Sequence, residues 1–217
     1  MNVFEALYEY KFNYLSGAGM TLLLSLSAVV LGVIFGLILV LMRLSKIKPL
    51  KWFAASYIEI FRGTPLLVQL FIIYFGLAEM GLDINKFMSG VIAVGLNSAA
   101  YLAEIFRAGI QGVDKGQYEA ARSLGMSHTG AMRHIILPQA MRSVLPAIGN
   151  EFVTMIKETS IVSFIGIADL MFQTEKVRSI TYTAMGPLLG AAVCYFIMTF
   201  TLSKLIGRLE RKMSTND

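Results

Sequence analysis

Apolar residues in this chain come in long blocks rather than in alternation. The clearest, TLLLSLSAVVLGVIFGLILVL, lies within 20–42 and carries no charge. A helix needs about 20 residues to cross a hydrocarbon core, and four further stretches reach that length. The second, 53–80, is interrupted by Glu59, Arg62 and a Gly63-Thr64-Pro65 break. The third, 87–110, ends in the charged run YLAEIFRAG. A fourth, 147–168, carries Glu151, Lys157 and Glu158, and the fifth, 187–206, carries no charge before Lys204 near its end. Backbone groups in lipid must be satisfied within their own segment, and no period-two barrel pattern is present. The pattern therefore predicts an all-α integral membrane protein, a single domain over 1–217 with five transmembrane helices.

Composition agrees. Of the 217 residues 56% are hydrophobic and 15% charged, where a soluble domain carries about 25% charge. Mean hydropathy is +0.65. A net charge of +5 could suggest nucleic acid in a soluble protein. Here the basic residues gather at the ends of apolar runs, so a bilayer is the expected partner and nucleic acid is not. Arg43, Lys46, Lys48 and Lys51 follow the first run, Lys115, Arg122, Arg133 and Arg142 follow the third, and Lys204, Arg208, Arg211 and Lys212 lie at the end of the fifth and beyond it. Only Lys11, Lys86, Lys176 and Arg178 fall on the other side. By the positive-inside rule the N-terminus is expected outside and the C-terminus in the cytoplasm, as five spans require. The acidic, aromatic start MNVFEALYEYKF does not read as a removable signal peptide.

The connection 112–146 is too long and too patterned for a simple linker. Residues 117–124 read as a short helix stopped by Gly125, and Ser127 or Thr129 could cap the next. That next helix, 131–137, is expected to end before Pro138, which lacks a donor and restricts its predecessor. Two short helices around a tight turn suggest a docking element for a soluble partner; an amphipathic segment lying on lipid is the alternative.

The run Glu119-Ala120-Ala121, then Gly125, Ile135 and Leu137-Pro138, resembles the cytoplasmic "EAA" loop of binding-protein-dependent ABC importer permeases at each defining position. EIFRGTPLLVQ from 59, NSAAYLAEIFRAGI from 97 and KETSIVSFIG from 157 resemble the polar amino acid branch of that family. The resemblance implies a coupling helix, with Glu119, Ala120, Ala121 and Gly125 at the core of its contact with an ATP-binding cassette subunit. It also implies two such ATP-binding subunits, a second permease copy (identical or a close paralogue) and a solute-binding protein outside, all at the inner membrane of a prokaryote. The chain has no GxxxxGK[ST] loop, so ATP and Mg are expected on the partner, and the chain itself is not expected to be an enzyme. An ion-driven secondary transporter would normally show more spans or inverted repeats.

Ionisable groups at membrane depth mark pathways or pairs. Glu59, Arg62 and Gln69 fall near one face of the second span; Asn97, Tyr101, Glu104 and Arg107 form a stripe on the third; Glu151, Thr154 and Glu158 form one on the fourth, beside Lys157. An amino acid zwitterion needs a donor for its carboxylate and an acceptor for its ammonium, and these stripes offer both. Alternatively Glu59 with Arg62, and Glu104 with Arg107, neutralise each other at i,i+3. The excess of carboxylates favours a cationic substrate such as arginine, lysine or histidine over glutamine or another polar amino acid. His128 and His134 lack the companions of a metal site, and Cys194 reads as a small buried hydrophobe.

Overall fold

The computed structural model describes residues 1–82 and 84–214, and its described residues are helical throughout apart from short connections. A short helix α1 (Val3–Glu9) leads into α2 (Lys11–Leu44), which is 34 residues long. At 1.5 Å per residue α2 is longer than the hydrocarbon core is thick. It packs along its length on α5 (Lys86–Gln111), the most extensive helix interface in the molecule. Small residues make this closeness possible. A Cβ on Gly36 would sit 3.2 Å from both Ala103 N and Ala99 O, and one on Gly95 would sit 2.5 Å from Leu31 Cδ2. Close approach of this kind, rather than exclusion of water, is what associates helices in lipid.

The expected second span is two helices. α3 (Lys48–Gly63) and α4 (Leu66–Glu79) meet at an angle of 108°. Pro65 has no N–H to continue the ladder, and Thr64 before it is extended at φ −120° and ψ 148°, as residues preceding proline are. α3 packs Ala54 and Ile58 against Leu39, Ala99, Ala100 and Ala103, whereas α4 sends Leu70 into the cluster of Leu24, Ala28, Val91 and Val94.

After α5 the chain forms α6 (Lys115–Ser123) and a one-turn helix α7 (His128–Ala131). A π-helical turn (Met132–Ile136) then runs directly into α8 (Leu137–Glu158). The expected stop before Pro138 does not occur. In the π turn Leu137 N donates to Met132 O, five residues back. The ladder is thereby offset, and Pro138 falls in the first turn of α8, where a missing donor costs nothing. The expected fourth run is therefore the second half of α8 plus a 3-10 segment (Thr159–Ile165) closed by Gly166 at φ +75°.

From there α9 (Leu170–Thr181) doubles back onto α2, with Leu170 N donating to Thr21 Oγ1 at 3.1 Å. α10 (Met185–Ser214) is tied to α2 by Tyr14 Oη, which donates to the Pro187 carbonyl at 3.0 Å. α2, α5 and α10 are each long and apolar enough to cross a membrane, and the bent pair α3–α4 passes the same test jointly. α2 turns Leu23, Leu26, Val30, Ile34, Leu37 and Leu41 outward, a face that hydrocarbon accepts and water does not.

Candidate functional site

Two features stand out: a set of polar side chains within the helix bundle and a loop that protrudes from it. Among the former is the buried carboxyl group of Glu151 on α8, 9% exposed. It accepts a hydrogen bond from Ser98 Oγ of α5 at 3.0 Å. Among the described residues no Lys or Arg pairs with it. A carboxylate so placed, with no cation of its own, is costly unless something else supplies the counter-charge. Further along α8, Thr154 Oγ1 donates to its own helix at Asn150 O, and Glu158 and Lys157 are exposed.

Gln69 and Asn97 are placed differently. Gln69 Nε2 donates to Phe61 O at 2.9 Å, Thr64 O at 3.1 Å and Thr64 Oγ1 at 2.8 Å. Asn97 Nδ2 donates to Gln69 Oε1 at 2.9 Å and to Phe61 O at 3.2 Å. These two amides satisfy the carbonyls that the break between α3 and α4 leaves open, the condition under which irregular backbone survives at membrane depth. Replacing Gln69 with Leu should destabilise the folded chain by about 1–3 kcal/mol, the cost of orphaned buried carbonyls. Thermal unfolding in detergent reads this; an unchanged melting temperature contradicts the assignment.

Glu104 and Arg107 form the expected i,i+3 pair, with both carboxylate oxygens engaged at 2.6–3.1 Å. Glu59 and Arg62 do not. The Arg62 guanidinium instead lies 5.4 Å from the ring centre of Tyr101, a cation–π contact. Tyr101 is itself 36% exposed. The sequence stripes thus resolve into a buried carboxyl group at Glu151, a structural latch at Gln69 and Asn97, and a cation–π pair of Arg62 and Tyr101.

The loop is built to keep its shape. Asp114 caps α6 by accepting from Gly116 N. Gly125 takes φ +84°, and a Cβ added there would meet no neighbour within 4 Å, so only backbone strain opposes a side chain. Arg122 Nη1 donates to Met126 O across the turn, and Ser127 Oγ caps α7 at Gly130 N. Glu119 and Ala120 face outward and Ala121 is buried. Ile135 is half-buried at the root of α8, while Leu137 and Pro138 are exposed there. Sequence reasoning missed Leu124, which is 85% exposed at the tip. An apolar residue beside the glycine that ends a helix was the available signal. The two histidines are engaged locally, His128 with Tyr118 and His134 with Gly130 O.

Comparison with known proteins agrees with this geometry. Residues 28–215 match the family described as binding-protein-dependent transport system inner membrane component. The chain is 41% identical over 204 residues to the arginine transport system permease protein ArtQ of Bacillus subtilis (strain 168), covering 94% of this chain and 93% of that one. It is 42% identical over 210 residues to a putative glutamine transport system permease protein GlnP of Rickettsia conorii (strain ATCC VR-613 / Malish 7), covering 96% of each. Its fold matches, at TM-score 0.93 and 52% identity, a crystal structure of an amino acid ABC transporter with histidines, over 98% of this chain and 99% of that one. The methionine ABC transporter MetNI shares the fold at TM-score 0.77 and 19% identity, over 94% of this chain and 97% of that one. With a family model matched over most of its length, and close relatives matched nearly end to end, the chain belongs to the binding-protein-dependent transport system inner membrane components.

Proposed function

We propose that this chain is the membrane subunit of an ATP-driven importer of polar amino acids, located in the inner membrane of a prokaryote. It crosses five times, through α2, the bent pair α3–α4, α5, α8 with its 3-10 extension, and α10, with the N-terminus outside. The basic ends of α2, α5 and α10 favour this orientation. A second copy or close paralogue completes the pathway. Two ATP-binding cassette subunits, which hold ATP and Mg, grip the α6 loops from the cytoplasm, and a solute-binding protein delivers the amino acid from outside. With the loop and the family as they are, ion-driven secondary transport has no supporting feature.

The observation that carries the substrate class is the lone carboxylate of Glu151. It supplies a counter-charge for a substrate cation, and Arg62, without an acidic partner among the described residues, is suited to the α-carboxylate. We therefore favour arginine, lysine or histidine. Glutamine is the second reading, supported by the relatives named for it. The test is competition for ATP-dependent uptake in liposomes by the complete importer. Unlabelled arginine, lysine or histidine should displace a labelled cationic amino acid at least tenfold more effectively than glutamine. Preference for glutamine would reverse the choice between the two readings.

A further inference from the structure

The α6 helix touches the rest of the chain at few points. Of its nine residues only Ala121 is buried. Behind it opens a cleft of about 710 Å³ between α6, the end of α5 and the root of α8, lined by Gln111, Asp114, Tyr118, His128, Met132 and Ile136 among others. The covalent route from α6 to α7 passes through Gly125, whose φ is +84° and which has open space around it. A hinge there would let α6 swing over the cleft without moving α8. Motion imposed on α6 would then be lost before it reached the bundle.

Two side-chain pairs bridge this gap, one of them at close range. Tyr118 Oη and His128 Nδ1 are 2.9 Å apart, and their rings meet edge to face, with centres 5.7 Å apart at 74°. Tyr118 stands on α6 directly before Glu119. His128 opens α7, which continues through the π turn into α8. The other cross-link, Gln139 Nε2 to Gln117 Oε1, is longer at 3.4 Å. The Arg122 contact with Met126 O braces the turn but does not cross the cleft.

We infer that Tyr118 and His128 form a strut that makes the loop rigid, so that a displacement of α6 is delivered to α8. They are positioning residues for coupling and touch neither substrate nor nucleotide. The inference rests on the reading of α6 as the surface gripped by the ATP-binding subunit. A hydrogen bond has a net worth of about 1 kcal/mol, which is about fivefold in the population of the rigid form.

The test uses the complete importer in liposomes, with co-purification, ATP hydrolysis and uptake measured on each variant. Tyr118→Phe and His128→Leu should assemble fully and hydrolyse ATP, while uptake per ATP falls about fivefold. The double variant should be no worse than either single one, and His128→Asn, whose side-chain amide can occupy the place of Nδ1, should restore most of the loss. Unchanged uptake per ATP in Tyr118→Phe overturns the strut. So does an additive loss in the double variant, or failure of Tyr118→Phe to assemble, which would make the pair part of the fold alone. Leu124→Asp tests the underlying reading separately: full assembly and uptake in that variant would remove the docking surface, and the strut with it.

Discussion

Replacing Glu151 with Gln should abolish most uptake of cationic amino acids while leaving assembly with the ATP-binding subunit intact. The substitution keeps size and shape, and an amide can still accept from Ser98 Oγ, whose bond to the native carboxylate is 3.0 Å. What it removes is the charge. In a site with no Lys or Arg partner among the described residues, that charge is the main attraction for an ammonium or guanidinium group. Charge-assisted hydrogen bonds are worth about 1.5–3 kcal/mol, so a loss of roughly tenfold to a hundredfold in uptake efficiency is expected. Glutamine uptake, where present, should fall much less. Equal losses for both classes would mean that Glu151 shapes the bundle rather than selects the solute.

The second large effect concerns the turn. Gly125→Val should uncouple ATP hydrolysis from transport, with uptake per ATP down by at least tenfold. An L-residue in the left-handed region costs about 1–2 kcal/mol, and a β-branched one is a worse fit still. No atom lies near the new Cβ, so the strain cannot be blamed on a clash and must be relieved by changing φ. Such a change redirects α6 and the exposed Leu124 beside it. Gly125→Ala should give the same effect in weaker form. Wild-type uptake per ATP in Gly125→Val, measured with hydrolysis in the same vesicles, would show that the turn is not part of the coupling path.

How much of this was written in the sequence depends on the distance over which each feature is decided. α2, α5 and α10 were legible because an uncharged or nearly uncharged run of sufficient length has little alternative in lipid. The break between α3 and α4 was visible in Gly63-Thr64-Pro65. Its angle and the amides that hold it were not, since Asn97 reaches Phe61 across 36 residues. The same applies to Glu151, whose partner Ser98 is 53 residues away. Glu104 and Arg107 pair as their spacing suggests, yet Glu59 and Arg62 share that spacing and do not, because Tyr101 offers Arg62 a ring face from another helix. Pro138 misled for a different reason. A one-residue change of hydrogen-bond register in the π turn moved it from a helix end to a helix beginning, and local propensity carries no signal of such a register change. The resemblance of the EAA loop marked the segment proposed to dock, but the exposure of Leu124 and the bridge from Tyr118 to His128 required three-dimensional placement.

Everything proposed for the loop and for Glu151 requires that this chain form the path through which ATP hydrolysis on a separate subunit moves an amino acid inward. The most direct measurement is uptake of labelled arginine by liposomes containing this chain and its ATP-binding subunit, with the solute-binding protein outside and ATP sealed inside or omitted. Accumulation only with ATP inside, lost when this chain is left out, is the expected result. Equal uptake with and without ATP, or a chain that never assembles with an ATP-binding subunit, would contradict it.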